Sequence, residues 1–335
     1  MRVEEFLEEW NNSSDTVLVH TSGSTGKPKP MLVEKRRMEA SARRTCEFLG
    51  LKEGDSALLC MSLDYIAGKM MVVRSIVCGL RLISVPPSGE PLKTVTEPID
   101  FAAMVPMQVY NSLKDPVQRE RLRQIRHLII GGGAIDDGLA AELRDFPHAV
   151  WSTYGMTETL SHIALRRLNG PEASDWYTPF DGVSVSLTDE GCLVIDTPAV
   201  HEGPLVTNDI AELRLPSLLG EGAGERLFRI LGRKDNTICS GGVKIQAEEV
   251  ERLLRAYLRE PYLISKRPDP KFGEAVVLLT QSADLDAVEA VCREVLPKYW
   301  QPRHYVYVAH VPLTPTGKPA RHEAERIASE SLASI

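Results

Sequence analysis

Short apolar runs recur along the first half of the chain, separated by stretches with helical spacing. Val17-Leu18-Val19, Ala57–Met61, Leu82–Val85, Ala102–Val105, Leu128–Ile130 and Ala149–Trp151 read as buried strands. Residues 31–49 carry helical periodicity and stop at Gly50, a suitable C-terminal cap, and residues 65–79 predict a second helix. Such alternation predicts a largely parallel sheet with helices on both faces.

Beyond about residue 180 the pattern changes. Val183–Leu187 and Cys192–Ile195 alternate apolar and polar around the turn Asp189-Glu190-Gly191, and Leu205–Thr207, Ala211–Leu215 and Leu227–Leu231 add further short strands. Leu218–Glu225 is Gly-rich and reads as a loop. A third pattern starts near Asp235. Glu248–Leu258 predicts an amphipathic helix, Ala275–Thr280 a strand, Leu285–Leu296 a helix, His304–Ala309 a strand and Ala320–Ser329 a last helix. The expected fold class is therefore α/β. Residues 1–234 form a large domain with a mainly parallel sheet and a β-rich subdomain over 180–232, and residues 235–335 form a small α+β domain. There is no internal repeat and no low-complexity segment.

Composition changes this picture little. The chain has 335 residues, 43% hydrophobic and 25% charged, as a soluble protein of two or more domains would. A net charge of -7 disfavours a general nucleic-acid surface but leaves a local anion site open. The cysteines Cys46, Cys60, Cys78, Cys192, Cys239 and Cys292 include no C-x-x-C pair, so neither a zinc site nor a redox motif is expected. The start, Met1-Arg2-Val3-Glu4-Glu5, lacks the apolar region of a signal peptide, and no run reaches membrane-spanning length. The expected location is cytoplasmic.

The candidate chemistry begins at Thr21-Ser22-Gly23-Ser24-Thr25-Gly26-Lys27-Pro28-Lys29, directly after a predicted strand. Glycines let backbone N–H groups approach a ligand, and hydroxyls and ammonium groups add donors and charge, so a polyphosphate is the natural guest. The run is not a Walker A loop, because Lys27 is followed by Pro28. The bland alternative is a flexible Ser/Gly turn. Gly131-Gly132-Gly133-Ala134 follows another predicted strand and leaves bare backbone for a flat group, although a plain strand-to-helix turn reads equally well. Tyr154-Gly155-Met156-Thr157-Glu158 supplies an aromatic plate, a close-approach glycine, a hydroxyl and a carboxylate able to hold Mg²⁺ beside a triphosphate. Asp209 and Arg233 suit ribose hydroxyls, though either alone would more often be a surface ion pair. Ser240-Gly241-Gly242 reads as a flexible polar loop, and Lys318 sits on the turn Pro315–Pro319.

In order and spacing these motifs resemble the adenylate-forming superfamily of acyl- and aryl-CoA ligases, luciferases and adenylation domains. The resemblance spans nearly the whole chain. It implies that Thr21, Ser22, Gly23, Ser24, Thr25, Gly26 and Lys27 cradle the β- and γ-phosphates of ATP, while Gly131–Ala134 and Tyr154 sandwich adenine. It further implies that Thr157 touches the α-phosphate, Glu158 holds Mg²⁺, and Asp209 and Arg233 hold the ribose. Asp235 would be the hinge of a mobile C-terminal domain, Lys318 the lysine that bridges the attacking carboxylate and the nucleotide, and Ser240–Gly242 part of the coenzyme A tunnel. Within the superfamily, Met104–Tyr110 resembles the V-P-x-Q segment of the o-succinylbenzoate–CoA ligases of menaquinone biosynthesis. That substrate has a second carboxylate, which needs a partner when buried. Lys69 is the expected partner, with Gln108, Ser161 and His162 as hydrogen-bonding neighbours.

The chain departs from the family in three places. The phosphate loop begins at residue 21, without the usual larger N-terminal region, which a homodimer would be one way to replace. Pro30 stands where the loop commonly ends in glycine, and Tyr65 where histidine is frequent. Two other readings stay open: another aryl- or acyl-CoA ligase, and an adenylate-binding protein without turnover.

Overall fold

The computed structural model describes residues 1–20, 30–133, 135, 137–214, 226–313 and 319–331. Contacts within the chain divide it into two compact units. The first comprises Met1–Ser186, Val194–Leu205 and Leu213–Arg229, and the second Leu187–Leu193, Val206–Glu212 and Ile230–Ile335.

The first unit opens with helix α1 (Val3–Asn11), which buries Phe6 and Trp10, and the antiparallel pair β1 (Thr16–His20) and β2 (Pro30–Glu34). The helical spacing read over 31–49 therefore covers two elements. Met31–Glu34 belong to a strand paired with Thr16–Val19, and helix α2 (Lys35–Leu49) starts only at Lys35. As expected, α2 ends on Gly50, whose φ of 65° is the left-handed conformation that glycine adopts at no steric cost.

The alternating pattern gives a seven-stranded sheet. Its strands are β3 (Ser56–Leu59), β4 (Arg81–Ser84), β5 (Phe101–Met104), β6 (His127–Ile130), β7 (Ala149–Gly155), β8 (His162–Arg167) and β9 (Thr178–Pro179), in the order β4-β3-β5-β6-β7-β8-β9. The strands from β4 to β7 pair in parallel, and β8 and β9 are antiparallel additions at one edge. Helices α3 (Ile66–Cys78), α4 (Pro106–Lys114), α5 (Pro116–Arg123) and α6 (Asp137–Leu143) fill the connections. One core gathers Leu58, Met104, Val109, Leu128 and Ile130 with Leu143 and Val150. Both faces of β3 and β5 are buried, which is why those strands read as unbroken apolar runs.

The β-rich region supplies a four-stranded sheet of β10 (Ser184–Leu187), β11 (Cys192–Asp196), β12 (Leu205–Arg214) and β13 (Leu227–Arg233), in that order. The second unit holds a five-stranded sheet of β14 (Thr237–Ser240), β15 (Val243–Gln246), β16 (Tyr262–Asp269), β17 (Gly273–Thr280) and β18 (His304–Tyr307). Pro268 lies in β16, an edge strand, where a missing N–H costs no ladder bond. Helices α7 (Ala247–Leu254) and α8 (Leu285–Val295) pack over one apolar cluster with Ile238, Ile264 and Leu278, and α9 (Arg321–Glu330) over another with Leu263 and Val277.

Candidate active site

The parallel register fixes where the glycine run lies. Ile130 pairs with Ser152, so Gly131–Gly133 leave β6 beside Thr153–Gly155, the last residues of β7, at the C-terminal edge of the sheet. That edge is where open α/β sheets bind ligands. Gly131 has no room for a side chain, since a Cβ there would meet Thr153 Oγ1 at 2.3 Å. Gly132 has a φ of 77°. Tyr154 is held by aromatic neighbours, with Phe228 at 5.1 Å and Tyr177 at 5.8 Å between ring centroids. Strand register thus places the glycine run and Tyr154 at the same edge of the sheet. Ala134 lies outside the described residues, as do Thr21, Ser22, Gly23, Ser24, Thr25, Gly26, Lys27 and Lys318.

Gly155 is glycine for a structural reason. The β7–β8 register shifts between Tyr154 and Gly155, and the chain returns so closely that a Cβ on Gly155 would lie 2.3 Å from the Ser161 carbonyl oxygen. The return is locked by Thr159, whose hydroxyl accepts from Met156 N–H at 2.9 Å and lies 2.7 Å from the Ser161 carbonyl. This turn buries Thr157 and leaves Glu158 exposed.

The turn also ends on the feature that the sequence reading missed. Arg74, in α3, is 2% exposed, and its Nη2 donates to Ser161 Oγ at 2.6 Å. Among the described residues its other polar contact is Nη1 to the Met71 sulfur at 3.7 Å, and its Nε is buried without a partner. No described carboxylate pairs with it. Burial lowers its pKa to about 10, so it remains a cation at neutral pH. A buried cation without an anion is costly and persists where function uses it.

His162 and Thr45 extend the chain of bonds. Ser161 Oγ lies 3.1 Å from His162 Nδ1, His162 Nε2 lies 3.1 Å from Thr45 Oγ1, and Thr45 Oγ1 donates to the Ser41 carbonyl at 3.3 Å. Arg74 can only donate, so Ser161 accepts from it and gives its own proton to Nδ1. His162 is then neutral with the proton on Nε2, donating to Thr45. Burial, and then the Arg74 charge, push its pKa well below the usual histidine range.

A pH dependence follows from the sign of that shift. The unfolded chain takes up a proton at His162 near pH 6.5, about the free value, and the folded chain resists it. The stability tied to neutral His162 is present above about pH 6.5 and is lost as pH falls, with a limiting slope of about 1.4 kcal/mol per pH unit. Denaturant midpoints of the wild type should fall between about pH 6.5 and 5, less steeply in His162→Asn. Burial also lowers the pKa of His127 and His304, so the difference between the two proteins isolates His162.

Two residues expected to meet the acid have other partners. Lys69 is 2% exposed, donates to the Leu18 carbonyl at 2.8 Å, pairs with Glu9 at 3.2 Å and lies over the Phe6 ring. Its charge is already matched, so it pins α1 and β1 to α3 and does not wait for a substrate anion. Lys69→Ala should therefore cost about 2–3 kcal/mol of stability, less than a fully buried pair because Glu9 stays partly hydrated. It should change the KM of dicarboxylic and monocarboxylic acids alike. Gln108 is corrected in the same way. Its side chain accepts from Val105 N–H at 3.1 Å and donates to the Cys60 and Ser88 carbonyls at 3.1 and 2.9 Å, so it closes the first turn of α4 behind Pro106.

In the second unit Asp209 and Arg233 meet on neighbouring strands. Arg233 Nη1 lies 3.5 Å from Asp209 and Nη2 lies 3.4 Å from Asp235. Ser240–Gly242 forms the tight turn between β14 and β15. Ser240 pairs with Val243, and Gly241 and Gly242 have φ of 59° and 82°, the two positive angles of a type I′ hairpin.

Comparison with known proteins matches residues 4–206 to the family described as AMP-binding enzyme. The chain belongs to that family. A solved structure of an acyl-CoA synthetase (AMP-forming)/AMP-acid ligase II-like protein from Dyadobacter fermentans is 32% identical, with a TM-score of 0.65, covering 95% of this chain and 91% of that one. A 2-succinylbenzoate–CoA ligase of Listeria monocytogenes is 24% identical, over 95% of this chain and 71% of its own length. The o-succinylbenzoate coenzyme A synthetase of Bacillus subtilis, solved with ATP and magnesium ion, is 22% identical with a TM-score of 0.70, covering 91% of this chain and 69% of its own. That last likeness supports the fold.

The residues of this AMP-binding enzyme fit the nucleotide and metal that such ligases use. Among the described residues no group of three or more His, Cys, Asp or Glu forms a protein cage for a metal. Mg²⁺ does not need one, since it binds through one or two carboxylates together with substrate phosphates and water, and exposed Glu158 provides such a carboxylate. No described helix is long and apolar enough to cross a membrane.

Proposed function

We propose that the acid activated by this AMP-forming acid–CoA ligase is a dicarboxylic aryl acid, o-succinylbenzoate, which leaves as its CoA thioester. The observation that carries this reading is Arg74, a buried guanidinium with no described carboxylate, bonded to Ser161 at the end of the Tyr154–Glu158 turn. A substrate with one carboxylate at the nucleotide and another to bury supplies the missing anion. The names of the ligases from Listeria monocytogenes and Bacillus subtilis point to the same acid.

The chemistry needs no protein nucleophile. One substrate carboxylate attacks the α-phosphorus of ATP, and pyrophosphate leaves. The thiol of coenzyme A then attacks the acyl-adenylate, and AMP leaves. The protein orients two anions and offsets the growing charge. In our reading Thr21–Lys27 cradle the outer phosphates, Gly131–Ala134 and Tyr154 enclose adenine, and Thr157 bonds the α-phosphate. Asp209 and Arg233 hold the ribose, and Arg74 with Ser161 holds the second carboxylate. Mg²⁺ held by Glu158 would screen the triphosphate. Asp235 is the proposed hinge, Lys318 the proposed adenylation lysine, and Ser240–Gly242 the proposed thiol-side turn.

The test is pyrophosphate release with ATP and Mg²⁺ across a panel of acids, with and without coenzyme A. Release with o-succinylbenzoate, with its thioester appearing when coenzyme A is added, is the expected result. Release only with monocarboxylic acids would overturn the substrate. No release with any acid, despite AMP binding, would favour a protein that binds adenylate without turnover.

A further inference from the structure

Among the described residues, strand β1 has β2 as its one strand neighbour, and the two are paired from Thr16–Glu34 to His20–Pro30. Val17, Val19 and Val33 are buried, while Leu18 and Leu32, opposite each other in the register, are exposed. Burial decides which face of the hairpin turns inward. Being non-directional, it does not fix how far β1 slides along its own axis. Leu18 turns both backbone groups away from β2, to the edge where a third strand would lie. An antiparallel strand there would accept its N–H and donate to its carbonyl. Two side chains do so instead. Glu9, in α1, accepts from Leu18 N–H at 3.2 Å, and Lys69, in α3, donates to the Leu18 carbonyl at 2.8 Å. Glu9 and Lys69 are paired with each other at 3.2 Å, which closes a ring through one residue of β1. Lys69 is buried over the ring of Phe6, itself buried, at 5.1 Å.

We propose, on the reading that Thr21–Lys27 cradle the outer phosphates, that Glu9 and Lys69 are positioning residues for the triphosphate end of ATP. They act through β1. Leu18 stands three residues before Thr21, a span of about 10 Å of extended chain. The two residues between, Val19 and His20, are strand residues paired with Met31 and Pro30, so a slide of β1 at Leu18 is passed on to the start of the phosphate run. Hydrogen bonds to an anion hold over a donor–acceptor window of only about 0.5 Å, and a strand free to slide loses them. The pair carries one charge of each sign, so its effect on a polyanion comes through position and not through its field.

AMP separates positioning from mere support of the fold. It shares adenine, ribose and the α-phosphate with ATP and lacks the two outer phosphates. A variant that loosens β1 weakens ATP and spares AMP, because only ATP must then restore the order of the strand at its own expense. A variant that damages the unit as a whole weakens both. The size of the ATP-specific loss is set by the hydrogen bonds removed, whose net worth corresponds to about tenfold at most for each. The effect does not depend on which acid the enzyme activates.

The experiment titrates the full chain calorimetrically with ATP and Mg²⁺, and separately with AMP, in the absence of acid. Glu9→Ala and Lys69→Met should each weaken ATP by about five- to tenfold and leave AMP within about twofold of the wild type. Glu9→Gln keeps an acceptor for Leu18 N–H and should lose less of the ATP affinity. It also serves as the readable variant should Glu9→Ala not fold. Lys27→Ala, in the phosphate run itself, is the control. An ATP-specific loss in Lys27→Ala with none in the folded Glu9 and Lys69 variants would overturn the positioning role and leave the phosphate reading standing. Equal losses of ATP and AMP in the Glu9 and Lys69 variants would reduce the pair to structural support, which also overturns it. No ATP-specific loss in Lys27→Ala would overturn the phosphate reading, and the positioning role with it.

Discussion

Arg74→Met is expected to make the protein more stable and less able to choose its acid. The two effects have one cause. In the free protein the guanidinium is buried, its Nε has no described partner, and its contacts among the described residues are a serine hydroxyl and a thioether. Desolvating that charge without a carboxylate costs several kcal/mol, of which two weak acceptors return only part. Methionine is of similar length and carries no charge, in a helix stretch where Met70, Met71 and Val73 are all buried. Replacing buried ionic groups with apolar ones of similar volume commonly gains about 1–4 kcal/mol, and we expect a gain within that range in the denaturant midpoint. With substrate present the balance reverses. Losing one partner of a buried, hydrogen-bonded ion pair costs about 2–5 kcal/mol, so KM for o-succinylbenzoate should rise on the order of a hundredfold. KM for ATP should not move. Arg74→Lys should recover little, because one ammonium cannot reproduce the guanidinium fork that spans Ser161 and a carboxylate. Unchanged selectivity in a stable Arg74→Met protein would remove Arg74 from the acid site.

Arg74 was within reach of the sequence and was passed over. It stands alone in Met70-Met71-Val72-Val73-Arg74, and a charge inside an apolar helix needs an explanation. Lys69 stands in the same run and looked equally good. What separates them is long-range. Glu9 meets Lys69 from α1 and nothing described comparable meets Arg74, and no local pattern records which buried cation has a carboxylate. Gln108 was misread for the opposite reason. Proline at the first helical position with glutamine two residues later is a local capping signal, and it was taken for substrate chemistry. The strand over Met31–Glu34 was lost to helical periodicity because its partner, β1, lies across an intervening segment, and pairing leaves no trace in a window that short.

What the sequence did expose is what local geometry governs. Apolar runs buried on both faces gave the parallel strands, and Gly50 gave the end of α2. The juxtaposition of Gly131–Gly133 with Tyr154 follows once β6 and β7 are known to be parallel neighbours, because both segments then emerge at the same edge. Asp209 and Arg233 likewise come together on adjacent strands. The reason for Gly155, a backbone approach to Ser161, needed the fold.

The largest effect on turnover is expected at Lys318, and it should fall on one half-reaction. Adenylation brings a carboxylate against a triphosphate, so both reactants are anions and the attacking oxygen must enter a field that repels it. A cation between them acts most strongly in the transition state, where charge passes to the α-phosphoryl oxygens and pyrophosphate. Removing one such donor costs about a hundred- to a thousandfold in rate, so Lys318→Ala should cut acid-dependent pyrophosphate release by about that factor. Thioester formation has different demands. Its electrophile is already assembled, its nucleophile is a thiol, and its leaving group is AMP, so a lysine placed for the first step has no repulsion to relieve. When the acyl-adenylate is supplied directly, Lys318→Ala should convert it to the CoA thioester at close to the wild-type rate. The two rates measured on one preparation also separate chemistry from folding, since a misfolded variant loses both. Equal loss of both half-reactions in a folded Lys318→Ala protein would mean that one arrangement of the site serves both steps, and Asp235 would then have no hinge to provide.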